Sequence, residues 1–257
     1  MGNPVGLIDA LGNGGRATLL SSESYPGLHT DYSEDPVLNR SAFDAQYEAL
    51  DNSTANGLRE VAKIIYGVER GVPNVNARFF ELRNGGYDTH SDQGSDPDDG
   101  QHYILHRELG DAIEVFYNDC ADMGVADKVC IMVWSEFSRR IEQNETGTDH
   151  GSQGPMFVIG GKVNGGIYGN HANIEPSAID DEGNTVYSQD PLNGFRSTDF
   201  RDVYGTILKH WLNMPPATIA ASVLPADNVP PAEANNYWTQ PNFDLSNDGG
   251  VTKLFNP

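Results

Sequence analysis

Between Asp88 and His150, three groups of metal-ligating side chains each stand beside a short apolar run. The first is Asn84-Gly85-Gly86-Tyr87-Asp88-Thr89-His90, the second Trp134-Ser135-Glu136-Phe137, and the third Gly147-Thr148-Asp149-His150-Gly151. Asp88 and His90 are two residues apart and can meet one metal from an extended turn, with Gly85 and Gly86 letting the backbone come close. Glu136 directly follows an apolar run, where an α/β sheet exposes side chains to its crevice. Mixed carboxylate and imidazole donors suit zinc, manganese or iron better than calcium, and such a metal acidifies bound water. The competing reading is structural: Asp88 caps a turn, His90 satisfies a loop, and Glu136 pairs with Arg139 or Arg140. Ser152 lies too near His150 in sequence to form a serine–histidine pair, because neighbours in extended chain point apart.

The elements that must position these groups are legible from apolar spacing. Residues 42–68 carry helical faces (Phe43, Tyr47 and Leu50, then Leu58, Val61, Ile64, Ile65 and Val68), stopped by Gly67, Gly71 and Pro73. Residues 77–82 read as a short strand. Residues 91–100 form an acidic loop whose spacing does not match a regular calcium-binding loop. Residues 103–123 predict a helix with Leu105, Leu109, Ile113, Phe116 and Tyr117 on one stripe, ended by Gly124. Residues 128–134 predict a strand buried on both faces, 138–154 a polar loop, and 156–159 another strand. Ser197, Thr198 and Asp199 predict the cap of a helix carrying Val203, Ile207, Leu208, Trp211 and Leu212. Residues 1–40 read as irregular with one short helix near 5–11, residues 41–213 as the core, and 214–257 as a Pro- and Asn-rich tail that drapes over the core or makes contacts. Strand, helix, strand, loop, strand argues for an α/β layer architecture.

Composition narrows the function classes. The chain has 37 Asp+Glu against 16 Lys+Arg, a net charge of −21, which leaves no basic face for nucleic acid. That charge serves either solubility in a salty habitat or cation binding. Cys120 and Cys130 are too few for a structural zinc site; they either pair or stand as two buried thiols. No run is long enough for a membrane-spanning helix, and Met1-Gly2-Asn3-Pro4 lacks an export pattern. Gly-x-Ser-x-Gly, Walker and dinucleotide-binding motifs are absent from the sequence.

Gly85-Gly86-Tyr87-Asp88-Thr89-His90, Ser135-Glu136-Phe137-Ser138-Arg139, Gly147 with Thr148-Asp149-His150-Gly151, and Gly160-Gly161 occur in this order. Together they resemble a bacterial family, domain of unknown function 1501, grouped with the alkaline phosphatase-like superfamily. Asp199-Phe200-Arg201, Tyr204 and Trp211 resemble its closing helix, so the likeness covers residues 58–213. Tyr87 replaces the family's Phe and Ser138 its Gly. The resemblance implies a three-layer α/β fold in which Asp88, His90 and His150 hold one metal. The superfamily's second metal uses an Asp-His pair where this chain has Glu136-Phe137; Phe137 cannot ligate, so one metal is implied. The nucleophile belongs to an N-terminal half that residues 1–57 are too short to supply, so the expected fold is truncated on that side.

The expectation is a metal-dependent hydrolase of phosphate or sulfate esters with a divalent metal, zinc before manganese or iron. Glu136 and Asp149 would serve as ligand or general base, and Arg139 or Arg140 would meet the anionic substrate. The alternative is a non-catalytic secreted or surface module that keeps the fold for binding or assembly, with a protein partner or a second copy engaged through the tail. The family resemblance implies a periplasmic or extracellular location.

Overall fold

The computed structural model describes residues 32–35, 37, 40–73, 75–94, 96, 98–151, 154–168, 200–219 and 254–255. The chain forms two compact units that meet in sequence at Ala126 and Asp127, inside the span expected as one core. The helix expected near residues 5–11, the Ser197–Asp199 cap and most of the tail lie outside the described residues.

The first unit is helical. Helix α1 covers Ser41–Leu50, α2 covers Ser53–Glu69 and α3 covers Gln101–Asp122. One continuous pattern over 42–68 is thus two helices. Asp51 adopts a left-handed conformation, φ 47°, which ends α1. Asn52 then caps α2 by accepting a 2.8 Å hydrogen bond from the Ala55 amide. Ala55, Leu58, Ala62 and Tyr66 recur at helical spacing and are buried, as are Ala112, Phe116 and Cys120 on α3. The buried line on α3 is rotated from the expected stripe, for Leu105, Leu109 and Ile113 are only half-buried.

A buried polar node ties the helices together. Arg40 and Asp119 have fully buried side chains, and Arg40 Nη1 donates to Asp119 Oδ1 at 2.5 Å and to its carbonyl at 3.1 Å. The hydroxyls of Tyr32 and Tyr47 donate to Asp119 Oδ2 at 2.5 and 3.2 Å. Arg40 Nη2 also reaches Asp122. Burial pushes the Asp119 carboxyl up, opposed by its hydrogen bonds from Tyr32 and Tyr47 and by Arg40. Burial and the nearby Asp119 push both tyrosine hydroxyls up, so they remain donors.

Residues 75–88 run without regular secondary structure, and the strand expected over 77–82 pairs with no other described strand. An apolar run becomes a strand only where a partner takes its backbone groups. Phe79 and Leu82 are exposed, at 79% and 45% of their surfaces.

The second unit carries short strands, β1 at Ile131–Val133, β2 at Ser138–Asn144, β3 at Gly147–Gly151 and β4 at Phe157–Ile159. β1 pairs antiparallel with β4, Met132 opposite Val158. β2 pairs antiparallel with β3, Arg139 opposite His150, with a register shift between Arg139 and Gln143. The expected polar loop over 138–154 is therefore largely a hairpin, turned at Glu145, whose φ is 34°. The expected strand over 128–134 shortens to β1, and its residues are half-buried, not buried on both faces. All pairings among the described strands are antiparallel.

Helix α4, Phe200–Thr206, continues as a π-helical turn, Ile207–Trp211. Val203, Leu254 and Phe255 form a buried cluster with Met156, Val158, Ile207 and Trp211 packed against it. Phe255 bridges Val163, and the Asn164 amide donates to the Leu254 carbonyl at 2.8 Å. These two residues of the tail lie in the second unit's core. Cys120 and Cys130 are free thiols, which decides against their pairing. No helix among the described residues is long and apolar enough to cross a membrane.

Candidate metal centre

In the first unit the Asp88–His90 segment follows a sharp turn. Gly86 has φ 94°, and a Cβ there would come within 3.2 Å of Leu105. The flanking side chains anchor it. Tyr87 donates its hydroxyl to the Leu105 carbonyl at 3.0 Å and accepts from Asn84 Nδ2 at 3.2 Å. Burial pushes the Tyr87 hydroxyl up, with the Glu108 charge adding to it, so the donor persists. Thr89 is buried and donates to Gln93 Oε1 at 3.2 Å. With Tyr87 and Thr89 turned inward, the alternation of extended chain turns Asp88 and His90 outward together. His90 Nε2 stands 3.0 Å from Asp88 Oδ1, and the two side chains are 51% and 57% exposed. Donors on legs of about 2.1 Å sit about 3.0–3.4 Å apart when the angle at the metal is octahedral or tetrahedral. The pair therefore fits two adjacent positions around one ion, and its oxygen-nitrogen donor set suits a borderline divalent metal.

In the second unit, the hairpin holds the other candidates. His150 on β3 stacks on Phe137, ring centroids 3.8 Å apart and planes 7° from parallel. The Arg139 guanidinium lies 4.9 Å from the Phe137 centroid, and Nη1 donates to the Thr148 carbonyl at 2.8 Å. Arg140 Nε donates to the His150 carbonyl at 3.1 Å. Asp149 Oδ1 accepts from Asn144 Nδ2 at 2.9 Å. A Cβ on Gly151 would lie 2.7 Å from the Arg139 carbonyl oxygen, so the residue after His150 must be small for the hairpin to close. Glu136 is exposed, and it pairs with neither Arg139 nor Arg140. Asp149 and His150 were expected in a loop ahead of a strand; they lie within one.

The structure thus gathers Asp88 with His90 in one unit, and Arg139, Asp149 and His150 on one hairpin in the other. Ser152 lies outside the described residues. Phe137 was read only as a residue unable to ligate. Its stacking on His150 needs an aromatic directly before a strand that pairs back on itself, which spacing alone does not reveal.

The chain belongs to the family described as protein of unknown function (DUF1501), whose model matches residues 51–188, more than half of the 257 residues. No curated protein and no solved structure matches it.

Proposed function

We propose that this chain binds one divalent metal, zinc before manganese or iron, and hydrolyses phosphate or sulfate esters with it. The reading is carried by one observation, the outward convergence of the Asp88 carboxylate and the His90 imidazole at 3.0 Å. His150 is the proposed third ligand on the strength of the motif order, and its ring is oriented by Phe137. The alkaline phosphatase-like layer fold rests on the same motif order, residues 85–90, 135–139, 147–151 and 160–161.

A metal bound there supplies Lewis acidity and lowers the pKa of a water. Exposed Glu136 is the proposed general base that takes a proton from the attacking water. Asp149, which accepts from Asn144 Nδ2 at 2.9 Å, is the proposed further ligand or second proton acceptor. Arg139 and Arg140 supply the positive charge for the ester's anionic oxygens. A net charge of −21 disfavours anionic substrates at long range, so local cations must carry recognition.

The test is turnover of 4-nitrophenyl phosphate and 4-nitrophenyl sulfate by metal-loaded protein. Activity that disappears with chelator, returns with zinc and is abolished in Asp88→Ala supports the reading. No turnover of either ester by protein carrying metal refutes it. A second reading, a non-catalytic binding module, is favoured by the exposure of Phe79 and Leu82, since exposed apolar side chains mark contact surfaces. In that case metal-loaded protein stays inactive and Phe79→Ser lowers the apparent mass in solution.

A further inference from the structure

Helix α3 carries a His-Tyr-Ile-Leu-His run in its first two turns, His102 to His106. Residues four apart on a helix share a face, and here the two imidazoles converge. His102 Nε2 and His106 Nε2 are 3.1 Å apart, with ring centroids separated by 4.6 Å. The Tyr87 ring stands edge-on to both, at 6.2 Å from His102 and 5.2 Å from His106. Tyr87 is itself pinned to the helix by its 3.0 Å hydrogen bond to the Leu105 carbonyl, so this aromatic wall is fixed. His106 is exposed and His102 half-buried, so the converging nitrogens stand at the surface.

We propose that His102 and His106 form a metal-binding site separate from Asp88 and His90, a two-imidazole chelate selective for copper(II). Nitrogens on legs of about 2.0–2.1 Å lie about 2.8–3.0 Å apart at a right angle and about 3.3–3.4 Å apart at a tetrahedral one. The observed separation falls between these values, and small rotations of the rings reach the first. No third His, Cys, Asp or Glu among the described residues joins the pair. Two imidazoles with water in the other positions would suit a tetragonal ion. Imidazole donors and the order of divalent affinities both favour copper over nickel and zinc.

The outer contacts of His102 fit the same role. Its Nδ1 faces the Gln93 side-chain amide at 3.5 Å, and Gln93 in turn meets Thr89. When Nε2 binds a metal, Nδ1 carries the proton and needs an acceptor. Turning the Gln93 amide over presents its oxygen to Nδ1–H and its NH2 to the Thr89 hydroxyl, which accepts as readily as it donates. Without a metal, one imidazole Nε2–H donates to the other Nε2. Copper replaces that shared proton and releases none from the protein if the displaced proton moves to Nδ1.

The experiment is a titration of the full chain with copper(II), followed by electron paramagnetic resonance. It uses the Asp88→Ala/His90→Ala/His150→Ala variant, so that the outcome is independent of the proposed hydrolytic site. The expected result is a tetragonal copper signal with imidazole nitrogen coupling that persists in this variant and is lost on adding either His106→Ala or His106→Gln. Circular dichroism of both exposed-site variants should keep the helical signal. A signal that survives both His106 substitutions, or that is missing from the starting variant, overturns the proposal.

Discussion

Two aspartates of the helical unit meet opposite surroundings. Asp119 is wholly buried, and Arg40, Tyr32 and Tyr47 all donate to its carboxylate. Asp88 is more than half exposed, and the His90 imidazole lies 3.0 Å from its carboxylate. A carboxylate saturated by protein donors holds the fold; one held out to solvent beside an imidazole can accept a cation. What separates the two is long-range packing in the first case and the alternation of a short extended segment in the second.

The comparison can be broken most severely at Arg40. Arg40→Ala leaves the Asp119 carboxylate buried without its counter-charge, and we expect a loss of about 3–5 kcal/mol in urea unfolding. A loss below about 1 kcal/mol, the range of an exposed ion pair, would show that the node is not what holds the helices. Asn52→Ala removes the cap that starts α2 and should cost about 1 kcal/mol in the same assay. Asp88→Ala, by contrast, should stay within about 0.5 kcal/mol of the parent, as surface substitutions do. A large destabilisation there would make Asp88 a structural residue.

Acid titration sharpens the contrast. Asp44 is also partly buried, which raises its carboxyl, but hydrogen bonds from Arg59 and Ser33 and the Arg59 charge outweigh this and leave it below the usual range. Its contribution to stability is present above the unfolded value of about 3.9 and is lost as pH falls through the lower folded value. Asp119, pushed up by burial, acts with the opposite sign: the folded state takes up its proton first as pH falls. The urea midpoint gap between the parent and Asp44→Asn should therefore narrow between pH 5 and pH 2, where such carboxylates titrate, roughly. A gap that stays constant would contradict the Asp44–Arg59 pairing.

At the alkaline end the Cys120 thiol, pushed up to about 12 by burial, resists alkylation in the folded protein. Cys130, pushed up to about 11 and less buried, should react first. Equal rates would mean that the α3 environment opens as readily as the strand unit's.

Much of the helical unit is legible in the sequence because apolar residues recur at three and four along α2 and α3. The break at Asp51 and Asn52 is not, since apolar spacing continues across it while a left-handed residue and a side-chain cap end one helix and begin the next. Nor is the Arg40–Asp119 node, whose members are 79 residues apart. The β2–β3 hairpin escapes because Arg139, Arg140 and Glu142 make its strand polar, and its register shifts within that run. Residues 77–82 mislead in the other direction, as an apolar strand signal without a ladder. Of the site, Asp88, His90 and His150 stand out by residue type. The His102–His106 convergence is hidden inside a helix whose apolar stripe draws the eye elsewhere, although its spacing alone could have revealed it.

The most direct test of the central claim is metal content by elemental analysis, on protein purified without added metal or chelator. His106→Ala in every sample removes the second site from the count. The account predicts about one zinc, manganese or iron per chain, absent from Asp88→Ala and from His90→Ala. Unchanged metal in those variants, or none in the parent even after dialysis against zinc, would contradict it.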